Sequence, residues 1–136
     1  MHKQRWLAKA FLTICLASSC TLGHARGHAA NPTAVGETQV GIASYYSDKF
    51  HGRRTANGER YNKNELTAVH SRLPFGTIIR VTNLRNKHSV HLRINDRKHP
   101  RNRRLLDVSK RAARELGFIG AGLAKVEIEV VRFGDS

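Results

Sequence analysis

Glu59 closes an Asn-Gly turn in TANGERYNKNELTAVHSRLPFG (55–76), and His70 follows eleven residues later. Asp96 comes directly after SVHLRIN, and Asp107 lies inside LLDVS. Carboxylates and an imidazole gathered into one cleft can hand a proton to a leaving group and take one back. Each residue also has a structural explanation. Glu59 suits a solvated turn, and His70 a strand end with its ring hydrogen-bonded. Asp96 can pair with Arg97 or Arg93, while Asp107, between Leu106 and Val108, can be a buried carboxylate held by backbone amides. Structural networks perturb such groups as readily as active sites do. The histidines His51, His70, His88, His91 and His99 show none of the known zinc-ligand spacings, so no metal and no cofactor is expected.

The elements that must position these residues are mostly short strands. VGIASYY (40–46) reads as a strand, followed by a turn at Ser47-Asp48. HGRRTANGER (51–60) is loop, and its Asn57-Gly58 suits a turn with positive φ. Asn62 to Leu66 allows one short helical turn, after which LTAVH enters a strand. TIIRVTN (77–83) and SVHLRIN (89–95) alternate apolar and polar residues around LRNKH, as a hairpin does. DRKHPRNRR (96–104) contains none of Ala, Val, Ile, Leu, Met, Phe, Trp, Tyr or Cys and is predicted to stay out of the core. LLDVS (105–109) is a short buried stretch. Ser109 is placed to cap a helix through KRAAREL, which Gly117 ends. LAKVEIEVV (123–131) alternates throughout, with Ala124, Val126, Ile128 and Val130 inward. The pattern is that of one mainly β domain, a small barrel or sandwich, without repeats.

The N-terminus shortens that domain. MHKQRWLAKAFLTICLASSCTLGHA has a basic start, an apolar run from Ala10 to about Ala17, and small residues beyond, which is the layout of an export signal. The run is about half the ~20 residues that a membrane span needs. Residues 1–25 are therefore read as a signal peptide, with cleavage after Ala25 or, alternatively, lipid attachment at Cys20 in the lipobox-like LASSC. Residues 26–39 are read as a linker, and 40–132 as the folded domain. Both cysteines, Cys15 and Cys20, fall in the leader, so packing alone is expected to hold the domain.

The chain carries 24 Lys/Arg against 10 Asp/Glu, a net of +14. Only four of those cations, Lys3, Arg5, Lys9 and Arg26, lie in residues 1–30, so the rest stays strongly basic. Such a surface attracts polyanions. In an exported protein the expected partner is an anionic cell-wall polymer or lipid headgroup rather than nucleic acid.

The sequence closely resembles the rare lipoprotein A (RlpA-like) family from about Val40 to Val131. The resemblance rests on G-x-A-S-x-Y, F-H-G-R-x-T-A-N-G-E, L-T-A-x-H, L-P-F-G-T, R-V-T-N-L, N-D-R and D-x-S, in order and at the family's spacings. It implies a six-stranded double-psi β-barrel with one or two short helices. It also implies endolytic lytic transglycosylase activity on peptidoglycan, with a preference for strands stripped of stem peptides. In that reaction an acid protonates the oxygen of the β-1,4 bond between N-acetylmuramic acid and N-acetylglucosamine, and the muramic C6 hydroxyl closes on C1 to leave a 1,6-anhydro end. The resemblance carries the catalytic roles onto Asp96, Glu59, His70 and Asp107, with Asp96 preferred over Asp107 as acid/base. It carries substrate binding onto Thr55, Asn57, Tyr46 and Arg97. It implies a periplasmic or cell-envelope monomer acting on glycan strands, with division or envelope proteins as candidate partners.

Two departures stand out. After N-D-R the family continues Gly-Pro-aromatic, whereas Lys98-His99-Pro100-Arg101 follows here, and the peptidoglycan-binding SPOR domain carried by many members is not in this sequence. Both keep a second reading open, a non-catalytic, expansin-like wall-binding or wall-loosening protein. A third is an envelope interaction module acting through its basic face.

Overall fold

The computed structural model describes residues 32–135, so the expected leader and lipid-attachment site lie outside the described residues. Six strands form a closed barrel in the order β1-β5-β2-β4-β3-β6. They are β1 (Thr38–Tyr45), β2 (Thr67–His70), β3 (Ile78–Asn83), β4 (Ser89–Arg97), β5 (Leu106–Val108) and β6 (Ala124–Arg132). One α-helix, α1 (Lys110–Glu115), and a 3-10 turn at Asp48–Phe50 complete the elements. The barrel is mixed: β1–β5 and β2–β4 run parallel, and the other four pairings are antiparallel. Closure leaves no unpaired edge among these strands.

The strongest sequence patterns become the expected elements. The predicted hairpin is β3–β4, with Ile79 opposite Leu92 and Val81 opposite Val90. In β6, Val126, Ile128 and Val130 are fully buried while Lys125, Glu127 and Glu129 are not, as strict alternation requires. The Ser109 side chain accepts from Ala112 N–H at the start of α1, and Ala112, Ala113 and Leu116 are buried. β1 begins two residues before the expected strand. Asn62–Leu66 forms a turn, closed by Glu65 N–H to Asn62 C=O at 3.1 Å, rather than helix. Asn62 caps that turn locally by accepting from Asn64 N–H, which competes with helical bonding.

Core residues from every strand meet inside the barrel, with Leu116 and Phe118 of α1 and its following turn sealing one side. β2 is buried along its whole length, on both faces. Its TAVH therefore shows no polar face, and alternation is absent where both surfaces are covered.

Candidate functional site

Register places the candidate residues before any side chain is considered. Ser44 pairs with Asp107, Asp107 with Val69, and Val69 with Asp96, forming one row across β1, β5, β2 and β4. The next row, Tyr45, Val108, Ala68 and Ile94, packs into the core. Alternation therefore turns Ser44, Asp107, Val69 and Asp96 to the outer face of the barrel. Asp96 and Asp107 stand two strand spacings apart, about 10 Å along the backbone. A bulge in the β2–β4 pairing between Ala68 and Val69 sets Asp96 in this row instead of Asn95.

Three donors converge on Asp96. The Tyr46 hydroxyl donates to Oδ2. The backbone N–H groups of Ala56 and Arg97 each donate to Oδ1 at 2.8 Å. The Tyr46 ring tilts against Tyr61 and Phe50, which fixes its aim. Burial first, and then the Asp96 carboxylate, push the Tyr46 phenol far above its ordinary range, so it acts as a proton-bearing donor.

Glu59 is tied into a second cluster. Arg93 grips it in fork geometry, Nη1 to Oε1 at 2.7 Å and Nη2 to Oε2 at 2.9 Å. Asn95 Nδ2 donates at 3.2 Å and Asn57 Nδ2 at 3.0 Å. Arg93 above all, opposed by burial and helped by both amides, holds the Glu59 carboxyl at about 2. Glu59 is thus a fixed anion rather than a proton donor. The turn that carries it is closed by the Thr55 hydroxyl on Asn57 Oδ1 at 2.6 Å and clips onto β4 through Asn57 N–H to Asn95 C=O at 3.4 Å and Ala56 N–H to Asp96. Gly58 at the tip has φ 90°, which Asn-Gly supplies without strain. Of the expected sugar-binding residues, Thr55 is buried beneath this turn, whereas Asn57 and Tyr46 are half-buried.

His70 is 1% exposed at the end of β2. Its Nδ1 accepts from Arg72 N–H at 3.1 Å and Leu73 N–H at 3.0 Å, which assigns the ring proton to Nε2. Burial first, then the cations Lys98, Arg97 and Arg72, push it down to about 4. A neutral ring folded into the β2–β3 turn organises that turn. Arg97 does the same from the other side, donating to His70 C=O at 3.1 Å and Leu73 C=O at 2.6 Å while its guanidinium lies 4.4 Å from the Phe75 ring centroid. The Asp96–Arg97 ion pair entertained from sequence is absent: Arg97 meets Asp96 through its backbone, and Arg93 goes to Glu59.

Asp107 accepts from the Ser44 hydroxyl and pairs with Arg104 at 3.2 Å and Lys98 at 3.8 Å. Its partners are side chains, not the backbone amides expected of a structural carboxylate. None of residues 96–104 joins the hydrophobic core, as expected, yet Lys98 turns inward. Its side chain is 7% exposed, its four methylenes buried and its amine at Asp107. Burial pushes the Lys98 amine down, and Asp107 pulls it back up. Beside this pair a cleft of about 420 Å³ opens between Tyr46, Phe50, Asp107, Arg104 and Leu123. That is a size suited to a small ligand or a sugar ring.

Sequence reasoning therefore found the carboxylates but missed what holds them. Ser44 and Asn95 lay within quoted motifs, and Arg93 is two residues before Asn95 on an alternating strand, a signal that could have nominated it. Nothing local marks Lys98 or Arg104 as partners of Asp107. Among the described residues no cluster of His, Cys, Asp or Glu has the geometry of a metal site, and no helix is long and apolar enough to cross a membrane.

Residues 38–128 match the family described as lytic transglycolase. Curated relatives include the endolytic peptidoglycan transglycosylase RlpA of Campylobacter jejuni, 52% identical over 103 residues, which cover 76% of this chain and 38% of that protein. The enzyme of the same name from Neisseria meningitidis is 50% identical over 99 residues, 73% of this chain and 41% of that protein. This chain thus spans well under half the length of these relatives. Among solved structures, a mutant Clavibacter michiganensis expansin in complex with cellohexaose superposes with TM-score 0.58 at 22% identity, covering 74% of this chain and 53% of that one. A Streptomyces papain inhibitor superposes with TM-score 0.56 at 18% identity, covering 72% and 97% respectively. At such identities the likeness concerns the barrel alone.

Proposed function

We propose, from the premise that this chain belongs to the lytic transglycolase family of RlpA-like double-psi β-barrels, that it cleaves peptidoglycan glycan strands endolytically in the cell envelope. The bond is the β-1,4 link from N-acetylmuramic acid to N-acetylglucosamine, in strands freed of stem peptides. The observation that supports the reading is the outward row of Ser44, Asp107, Val69 and Asp96, whose Ser44–Asp107 end, with the Asp96 partner Tyr46, lines a sugar-sized cleft.

Asp96 is the acid/base. Its hydrogen-bond donors are a phenol and two backbone amides, so no fixed cation competes for its carboxyl. In protonated form it gives its proton to the bridging oxygen as the bond to muramic C1 breaks, and N-acetylglucosamine leaves as an alcohol. The C6 oxygen closes on C1, and its proton returns to Asp96. One group can take both roles because the two steps need opposite protonation states in turn. No water is consumed, in contrast to hydrolysis by a carboxylate pair. Asp107, bridged by Lys98 and Arg104, stays an acceptor and faces the charge that builds on the muramic ring. Glu59 and His70 are positioning residues, the first locking the 54–60 turn on β4 and the second shaping the β2–β3 turn.

The test uses the purified chain on peptide-free glycan strands, with mass spectrometry of the fragments. Wild type should release 1,6-anhydro ends and Asp96→Asn should release essentially none, a loss of 100-fold or more, on the order of what a positioned acid/base supplies. Full turnover by Asp96→Asn would remove the assignment. A second reading, glycan binding without cleavage, draws on the same saturation of Asp96 by donors and on the barrel shared with an expansin. Retained strand binding with no new ends in wild type would select it.

A further inference from the structure

A second cleft, of about 390 Å³, lies on the His70 side of the barrel and is lined by Gln39, Arg72, Asn102, Arg103 and Arg104. Its cations come from two separate loops. Arg72 belongs to the β2–β3 turn, and Arg103 and Arg104 to the segment joining β4 to β5. No acidic residue lines it. Arg104 is paired with Asp107, but Arg72 and Arg103 are exposed and form no ion pair among the described residues. Two unpaired guanidinium groups converging on a concavity are a ready receptor for a carboxylate or phosphate. Arg104 also lines the cleft at Asp107, so the two depressions meet at one side chain.

A second observation narrows the ligand. Gln39 lines this cleft, and its amide oxygen is buried with no hydrogen-bond partner among the described residues. A buried acceptor left unpaired is costly, so it calls for a donor from the ligand. The ligand that fits therefore carries an anion and an O–H or N–H donor on one rigid unit, as a sugar acid does.

Resting on the transglycosylase reading, we infer that the Arg72–Arg103 cleft is a subsite for the free lactyl carboxylate of muramic acid. When a stem peptide is attached, that carboxylate is consumed in an amide and its charge is lost at this place. When the peptide has been removed, the charge is back and the ring's hydroxyl and acetamido groups offer the donors that Gln39 lacks. The preference for peptide-free strands then arises from recognition of a charge, not only from relief of bulk. It also gives the basic 98–104 segment a task, since that segment supplies Arg103.

Titration calorimetry on the full chain tests this with three oligosaccharides: peptide-free muramyl glycan, the same glycan with its lactyl carboxylates converted to methylamides, and peptide-bearing glycan. Wild type should bind the first roughly tenfold more tightly than the other two, the size of one moderately exposed charge-assisted contact. The double variant Arg72→Gln, Arg103→Gln should bind the free-carboxylate glycan about as weakly as wild type binds the amide. Both residues are exposed, so the variant should fold, and circular dichroism checks that. Equal binding of acid and methylamide by wild type would overturn the subsite. So would an equal loss of both ligands in the variant, or displacement of the glycan by dextran sulfate as effective as by the muramyl strand itself, which would reduce the effect to net charge. Cleavage is not read in this experiment. A chain that discriminates the ligands but yields no anhydro ends keeps the subsite and loses the activity, and the converse holds.

Discussion

At His70 burial above all, and then the nearby cations Lys98, Arg97 and Arg72, make protonating the imidazole in the folded state unfavourable. Unfolded, the ring titrates at about 6.5; folded, at about 4. The unfolded chain thus binds more protons between these values, and stability should fall as pH drops from about 6.5 to about 4, by up to ~3 kcal/mol. Urea midpoints at pH 7.5 and 4.5 check it. His70→Gln, whose amide oxygen can still accept from the turn, should flatten that slope. Glu59 acts in a lower window: its contribution is present above about 4.5 and is lost as pH falls through about 2. At 40% exposure solvent screens much of it, so the sharper probe of Glu59 is function. Arg93→Lys keeps the charge but loses the fork, which should loosen the 54–60 turn under Asp96 and cut anhydro-product formation about tenfold. Comparable rates for Arg93→Lys and wild type would show that the fork is dispensable. That the turn carried Glu59 was legible from Asn-Gly. That Glu59 could not be an acid was not, because Arg93 lies 34 residues away.

Elements were legible where one face of a segment meets the core and the other meets water. β6 and the β3–β4 hairpin announce themselves by alternation, and α1 by its cap and closing glycine. β2 was legible as a strand in LTAVH although burial on both faces erases its period, whereas β5 shows only as a short buried stretch because three residues are too few to show one. Register between distant strands is invisible in sequence: Ser44 and Asp107 are neighbours across 63 residues. The parallel β1–β5 pairing behind that contact has no turn to pin it. The inward turn of Lys98 was not legible, because charge content predicts exposure only on average and long stems bury readily. At this scale the cap of α1 is the point to probe. Ser109 is fully buried and bonds both Ala112 N–H and Glu65 C=O. Ser109→Ala should cost about 1–2 kcal/mol and lower the melting temperature by several degrees, measurable by calorimetry. An unchanged melting temperature would mean the helix start is held by packing alone.

For the molecule as a whole, the strand order has a kinetic side. β1 comes first in the chain, yet both of its partners, β5 and β6, come from the last third. Pairings across such separations form slowly, since a long loop must be closed before any contact rewards it. A chain truncated before Ala124 would lose β6 and leave β1 and β3 with open edges. It should aggregate instead of refolding, as light scattering after dilution from urea would reveal; clean monomeric refolding would contradict this. The same order means that Ser44 reaches Asp107 only when the first strand docks against the last ones to appear. A half-folded chain can own a sound hairpin and a capped helix and still lack the row, because the row exists only once β1 has docked on β5 and β5 on β2. If the proposed function holds, regain of cutting power should therefore lag behind regain of secondary structure, and the power to breach the wall would wait on the docking of the first strand against β5.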